Sequence, residues 1–91
     1  MRSLGWRYAK ASVRVKIAAR ELTNRLIHLT LSDPDSIVLG KKDRWIAQKK
    51  HRREGFGNLL IRVVYEERDA EKVVVTAYWA RLERYGKRER A

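Results

Sequence analysis

Arg62 is the residue whose surroundings most demand a reason. It stands in Leu59-Leu60-Ile61-Arg62-Val63-Val64-Tyr65, an otherwise apolar run, where an unpaired cation is costly to bury. Either it looks out of a sheet toward an anion, or it pairs with a carboxylate such as Glu66 or Glu83. Thr76 interrupts Val73-Val74-Val75-Thr76-Ala77-Tyr78 in the same way, although threonine suits a strand. A turn pairing Tyr65 near Val73 would bring Arg62 and Thr76 together across the ladder.

Cations concentrate in two further stretches. The first runs from Lys41 and Lys42 through Arg44, Lys49, Lys50, His51, Arg52 and Arg53; the second holds Arg81, Arg84, Lys87, Arg88 and Arg90. Trp45, Tyr65, Tyr78, Trp79 and Tyr85 are interleaved with them. Cations for phosphates with aromatic faces for bases is the composition that single-stranded RNA binding requires. The plainer alternative is that Lys and Arg keep a small domain in solution while the aromatics fill its core.

Lys49 and His51 are candidate proton-transfer groups on chemistry alone, and neighbouring cations disfavour a protonated His51. His28, between Ile27 and Leu29, reads as a helix-surface or boundary residue. With two histidines and no cysteine, no transition-metal site is expected. Glu66, Glu67, Asp69 and Glu71 read as a solvated turn, since a metal-dependent nuclease needs its carboxylates in a pocket. No glycine-rich phosphate loop, Gly-x-Ser-x-Gly or triad order is present, so no cofactor is expected.

The chain is 91 residues long, enough for a single domain. Its 22 Lys and Arg against 11 Asp and Glu leave a net charge of +11. Such an excess points to a polyanionic partner: nucleic acid first, an acidic protein second, an anionic membrane third. At 44% hydrophobic residues it is no disordered basic tail. Absent cysteine removes disulfides, thiolate metal sites and a cysteine nucleophile. The apolar runs fall far short of the roughly 20 residues of a membrane span. No hydrophobic stretch follows Arg2 to form a signal peptide, so a cytoplasmic location is expected.

Residues 8–32 carry helical periodicity and predict a helical hairpin. Ala9, Val13 and Ile17 form one stripe, Ala11, Val15, Ala18 and Leu22 another, and Leu22, Leu26, Leu29 and Leu31 a second helix. Arg20-Glu21 reads as the break, Thr23 as a cap and Pro34 as the stop. From residue 36 to 79 the period changes to that of strands: Ser36–Leu39, a run beginning at Arg44, Leu59–Tyr65 and Lys72–Trp79. Residues 52–58 read as a loop and 66–71 as a charged turn. Residues 80–91 form a short basic tail. The expectation is a single α+β domain over 1–91, with two N-terminal helices packed on one face of a three- or four-stranded antiparallel sheet. The other face is then left open, and function is expected there.

Five segments together resemble a known group. They are Trp6-Arg7-Tyr8-Ala9-Lys10, Ser32-Asp33-Pro34-Asp35-Ser36-Ile37-Val38, Leu59 to Glu67, Val73 to Tyr78, and Arg84-Tyr85. From Trp6 to Tyr85 the chain resembles a small prokaryotic family similar to the BrnT toxins, within the RelE/ParE-like toxin superfamily. The resemblance implies a RelE-like fold with two amino-terminal helices on an antiparallel sheet. It also implies the toxin component of a type II toxin–antitoxin system. Such a component is an endoribonuclease that cuts RNA without a metal and is restrained by an acidic antitoxin. There the ribose 2′-hydroxyl attacks, a base deprotonates it and cations stabilise the phosphorane. Carried onto matching positions, Arg62 is the phosphate clamp; Thr76, Tyr78, Arg84 and Tyr85 fall in the motif. The chain departs from the group at Tyr8, where relatives usually carry histidine.

The expected catalytic set is therefore Arg62, Lys49, His51 and Tyr78. The expected RNA contacts are Arg44, Lys50, Arg52, Arg53, Thr76, Arg84 and Tyr85. A non-catalytic basic RNA- or DNA-binding module would use the same face, and a protein-interaction domain would use the charge alone.

Overall fold

The computed structural model describes residues 5–82. The rest of the basic tail, with Arg84 and Tyr85, lies outside the described residues. The chain opens on a strand, β1 (Trp6–Tyr8), followed by helices α1 (Ala11–Ala19) and α2 (Asn24–Ser32). Four more strands follow: β2 (Ser36–Leu39), β3 (Trp45–Arg53), β4 (Gly57–Arg68) and β5 (Glu71–Arg81). They form one five-stranded sheet in the order β1-β5-β4-β3-β2. β1 lies parallel to β5, and the other neighbours are antiparallel.

This corrects the expected architecture. The helices are not amino-terminal, the sheet is mixed rather than antiparallel, and strand outweighs helix. The missed element is β1. Trp6 and Tyr8 turn toward the core while Arg7 is exposed, a period of two that three residues are too few to display. Tyr8, expected in the first helix, belongs to this strand, whose flanking residues Gly5 and Ala9 bond to β5: Lys72 N–H donates to Gly5 O and Ala9 N–H to Val74 O.

Sequence signals hold best at the helix ends. Thr23 caps α2, its hydroxyl accepting the Leu26 N–H at 3.2 Å. The break falls at Arg20-Glu21, where Glu21 takes φ +63°, and α2 ends one residue before the Asp33-Pro34 pair. Of the two stripes on α1, the Val13–Ile17 one packs inward; of the other, Val15 is 67% exposed and Leu22, beyond the helix end, is buried. α1 lies against β5 and β1, α2 against β4 and β3. Ile17, Leu22, Ile27 and Leu31 close over Ala47, Ile61, Val63, Tyr65, Val74 and Ala77, and each Å² of apolar surface removed from water contributes about 25 cal/mol.

The strands run longer than their apolar cores. The expected loop at 52–58 shrinks to three residues between Arg53 and Gly57; Gly55, at φ +87°, takes the position of that turn where glycine is favoured. The expected turn at 66–71 shrinks to Asp69-Ala70, both at positive φ, the signature of a tight type I′ hairpin. A register shift between Val64 and Tyr65 pairs Tyr65 with Val74 and Val64 with Thr76. Val75 is thus an extra residue, a bulge that sends Val74 to the helix side and Thr76 to the other.

Candidate nucleic-acid interface

Because side chains alternate along a strand, register decides which candidates can meet. One row crosses four strands on the face away from the helices: Ser36, Gln48, Arg62 and Tyr78. Gln48 Nε2 donates to Ser36 Oγ at 2.9 Å. The Arg62 guanidinium carbon lies 5.7 Å from the centroid of the Tyr78 ring, within range of a cation–π attraction. Arg62 is only 6% exposed. Gln48, Leu60 and Val73 are also buried on this face, so its centre is not the open surface that the sequence leads one to expect.

The expected Arg62–Thr76 juxtaposition is replaced by Arg62–Tyr78. The two-residue turn and the bulge at Val75 shift β5 along β4, and Thr76 pairs with Val64 instead. Thr76 Oγ1 accepts from Arg20 Nη1 at 3.3 Å, and the same nitrogen donates to Ala77 O at 2.9 Å. β1 pairs with β5 only as far as Val74, and Arg20 satisfies backbone beyond that point. Arg20 carries no sequence signal beyond its place at a helix end.

The cations divide along the face. Arg44 donates Nε to Glu66 Oε2 at 2.7 Å, and Arg68 Nη2 reaches Glu66 Oε1 at 2.6 Å. These bonds, Arg44's before Arg68's, hold the Glu66 carboxyl below its usual pKa. Arg44 is thus already engaged by a carboxylate. At the opposite end, Lys50 and Arg52 alternate on the same face as Arg62, paired across the ladder with Leu60 and Asn58. Both are exposed, and neither side chain meets a carboxylate among the described residues.

Lys49, His51 and Arg53 have the opposite parity and face the helix side. Lys49 Nζ donates to Asp33 O at 2.9 Å and lies 3.4 Å from Asp33 Oδ2 and 3.9 Å from Asp35 Oδ1. The His51 ring lies 6.0 Å from Trp79, and its Nδ1 is buried with no hydrogen-bond partner among the described residues. Arg53 is held to Glu21 at 2.6 Å. The sheet itself therefore separates Lys49 and His51 from Arg62 and Tyr78, and the four residues expected to act together form two groups.

Tyr8 also belongs to the helix side, where its hydroxyl donates to Asn24 Oδ1 at 2.6 Å. Burial raises the pKa of this phenol, opposed by the nearby charge of Arg14. Trp6 Nε1 donates to His28 Nδ1 at 3.1 Å, tying β1 to α2. Ser36, Gln48 and Phe56 escaped the sequence reading; a polar Gln48 directly after Trp45-Ile46-Ala47 was the one available signal.

Among the described residues no three His, Asp or Glu side chains gather to hold a metal, and no helix is long and apolar enough to cross a membrane. Comparisons with protein-family models, curated proteins and solved structures produced no match to the chain.

Proposed function

We propose that the protein binds RNA across the face of its sheet away from α1 and α2, at the end marked by Lys50 and Arg52. One observation carries the reading: these two exposed cations alternate on one face of β3, without carboxylate partners among the described residues and next to the Arg62–Tyr78 row. Phosphates bound there release counterions, and the half-buried Tyr78 offers an aromatic surface beside them. Arg62, at 6% exposure, acts by holding the Tyr78 ring rather than as the first contact with phosphate. The net charge of +11 adds long-range attraction.

The test is a salt titration of RNA binding by the wild type and by the Lys50→Ala/Arg52→Ala double variant. Loss of two phosphate contacts weakens affinity and lowers the slope of log K against log salt by about 2. Unchanged affinity and slope in the double variant would remove this reading.

The resemblance to the toxin group supports a second reading: a metal-independent endoribonuclease of a type II toxin–antitoxin system, with an acidic antitoxin as its partner. The observation favouring it is a phenol beside a cation, Tyr78 next to Arg62, on the face proposed for RNA. Tyrosine can transfer a proton, and a guanidinium can offset charge developing on phosphate. Lys49 and His51 take no part, being on the other side of the sheet. RNA cleavage in EDTA that Tyr78→Phe abolishes without loss of binding supports this reading. Intact RNA together with salt-sensitive binding leaves the binding function alone.

A further inference from the structure

The β3–β4 hairpin ends in an aromatic residue with no structural reason to be exposed. Phe56 is 64% exposed, at a turn closed by its own N–H donating to Arg53 O at 2.9 Å. The flanking Gly55 and Gly57 both take positive φ, and a side chain at either would meet nothing within 4 Å. Among the described residues the tip is therefore open beside both glycines, and one side of it is occupied.

On that one side the ring is supported. The Arg53 guanidinium carbon lies 4.3 Å from the centroid of Phe56 and 4.9 Å from that of Trp79. Glu21, 2.6 Å away, offsets its charge. Arg53 is thus a spacer fixed between two rings and held by an ion pair, rather than the RNA contact expected from its charge. A planar cation against one face of Phe56 leaves the other free for a second planar group. Lys50 and Arg52 lie on the opposite face of β3 from Arg53, so a strand bound to them reaches Phe56 by rounding the hairpin tip.

We infer that Phe56 is a stacking platform for an unpaired nucleobase of a single-stranded RNA whose phosphates lie on Lys50 and Arg52. The inference rests on the RNA-binding reading and adds to it a preference. A single strand can place a base on the ring, whereas bases in a duplex are already stacked. Stacking makes no use of the ribose 2′-hydroxyl, so single-stranded DNA gains from Phe56 as well.

The experiment measures fluorescence anisotropy of labelled oligoadenylate RNA, the matching DNA strand and an RNA duplex. The proteins are the wild type, Phe56→Ala and Phe56→Trp, each with a thermal melt confirming an intact fold. Phe56→Ala is expected to weaken single-strand binding about ten-fold, Phe56→Trp to retain it, and duplex binding to stay unchanged. If the wild type binds RNA in a salt-sensitive way and Phe56→Ala matches it on single strands, the platform is wrong and the RNA reading stands. If the wild type binds neither strand nor duplex, both fall. Phe56-dependent binding to phosphatidylserine vesicles without binding to RNA would overturn both in favour of a membrane surface.

Discussion

Arg62 on β4 and Tyr78 on β5 face each other across the ladder, guanidinium over ring at 5.7 Å, on the side of the sheet away from α1 and α2. The pair ends a row whose other members are Gln48 and Ser36. With Arg62 only 6% exposed, removing its side chain leaves both a cavity and partners without their cation. Arg62→Ala is expected to cost about 3 kcal/mol, read as a lower urea midpoint. Arg62→Lys is expected to recover only part of this, because an ammonium lacks the planar face that lies over Tyr78.

Ala70 occupies the second position of the β4–β5 turn at φ +65°, a conformation that glycine adopts without the Cβ clash. Ala70→Gly is expected to stabilise the fold by about 1 kcal/mol, which raises Tm by roughly 4–8 °C in a chain of this size. Differential scanning calorimetry checks it, and an unchanged or lower Tm would count against the assigned turn.

Arg20 donates to Ala77 O and Thr76 Oγ1, and its own carbonyl accepts from Trp79 Nε1 at 3.0 Å. It joins the end of α1 to the stretch of β5 that β1 does not reach. Arg20→Ala is expected to lose about 1–2 kcal/mol. It also uncovers strand edge, a template for self-pairing, so sedimentation is expected to show more association than in the wild type.

Glu66 sits between Arg44 and Arg68, and its carboxyl is depressed. A carboxyl whose folded pKa is below its unfolded value contributes stability above the unfolded pKa, about 4.3 for glutamate, and loses that contribution as pH falls through the folded value. Urea midpoints are expected to fall between pH 6 and pH 3 by less in Glu66→Gln than in the wild type. An equal fall in both would show that the two arginines do not favour the charged form.

Lys49 is tied to Asp33 and Asp35 and is 17% exposed, on the opposite side of the sheet from Lys50. Lys49→Met is therefore expected to change the thermal midpoint by more than it changes RNA affinity, whereas Lys50→Met does the reverse. Parallel melts and binding titrations of the two variants decide the matter. Equal effects on affinity would mean that RNA does not distinguish the faces.

Much of the scaffold was readable because its signals are local. Thr23, the Arg20-Glu21 break and the Asp33-Pro34 stop each act within a few residues of chain. The apolar density of Leu59–Tyr65 and Val73–Val75 marked the two long strands, β4 being central in the sheet. β1 was not readable, because Trp6-Arg7-Tyr8 becomes a strand only by pairing with residues 72–74, more than sixty positions away. Its parallel direction, and hence the mixed sheet, follows from a contact that no local pattern encodes.

For the site, the sequence by itself determined the inventory: a charge of +11, cations gathered along 41–53, and one arginine inside an apolar strand. The tertiary structure decided how that inventory is divided. Alternation along β3 puts Lys49 and His51 on one side and Lys50 and Arg52 on the other, a distinction of one position that composition cannot weigh. The two-residue turn at Asp69-Ala70 and the bulge at Val75 together set Tyr78, and not Thr76, opposite Arg62. Side-chain parity and register are properties of paired strands, fixed only when hydrogen-bonded ladders and the buried face agree, so the partners within the candidate site were settled by folding rather than by the order of residues.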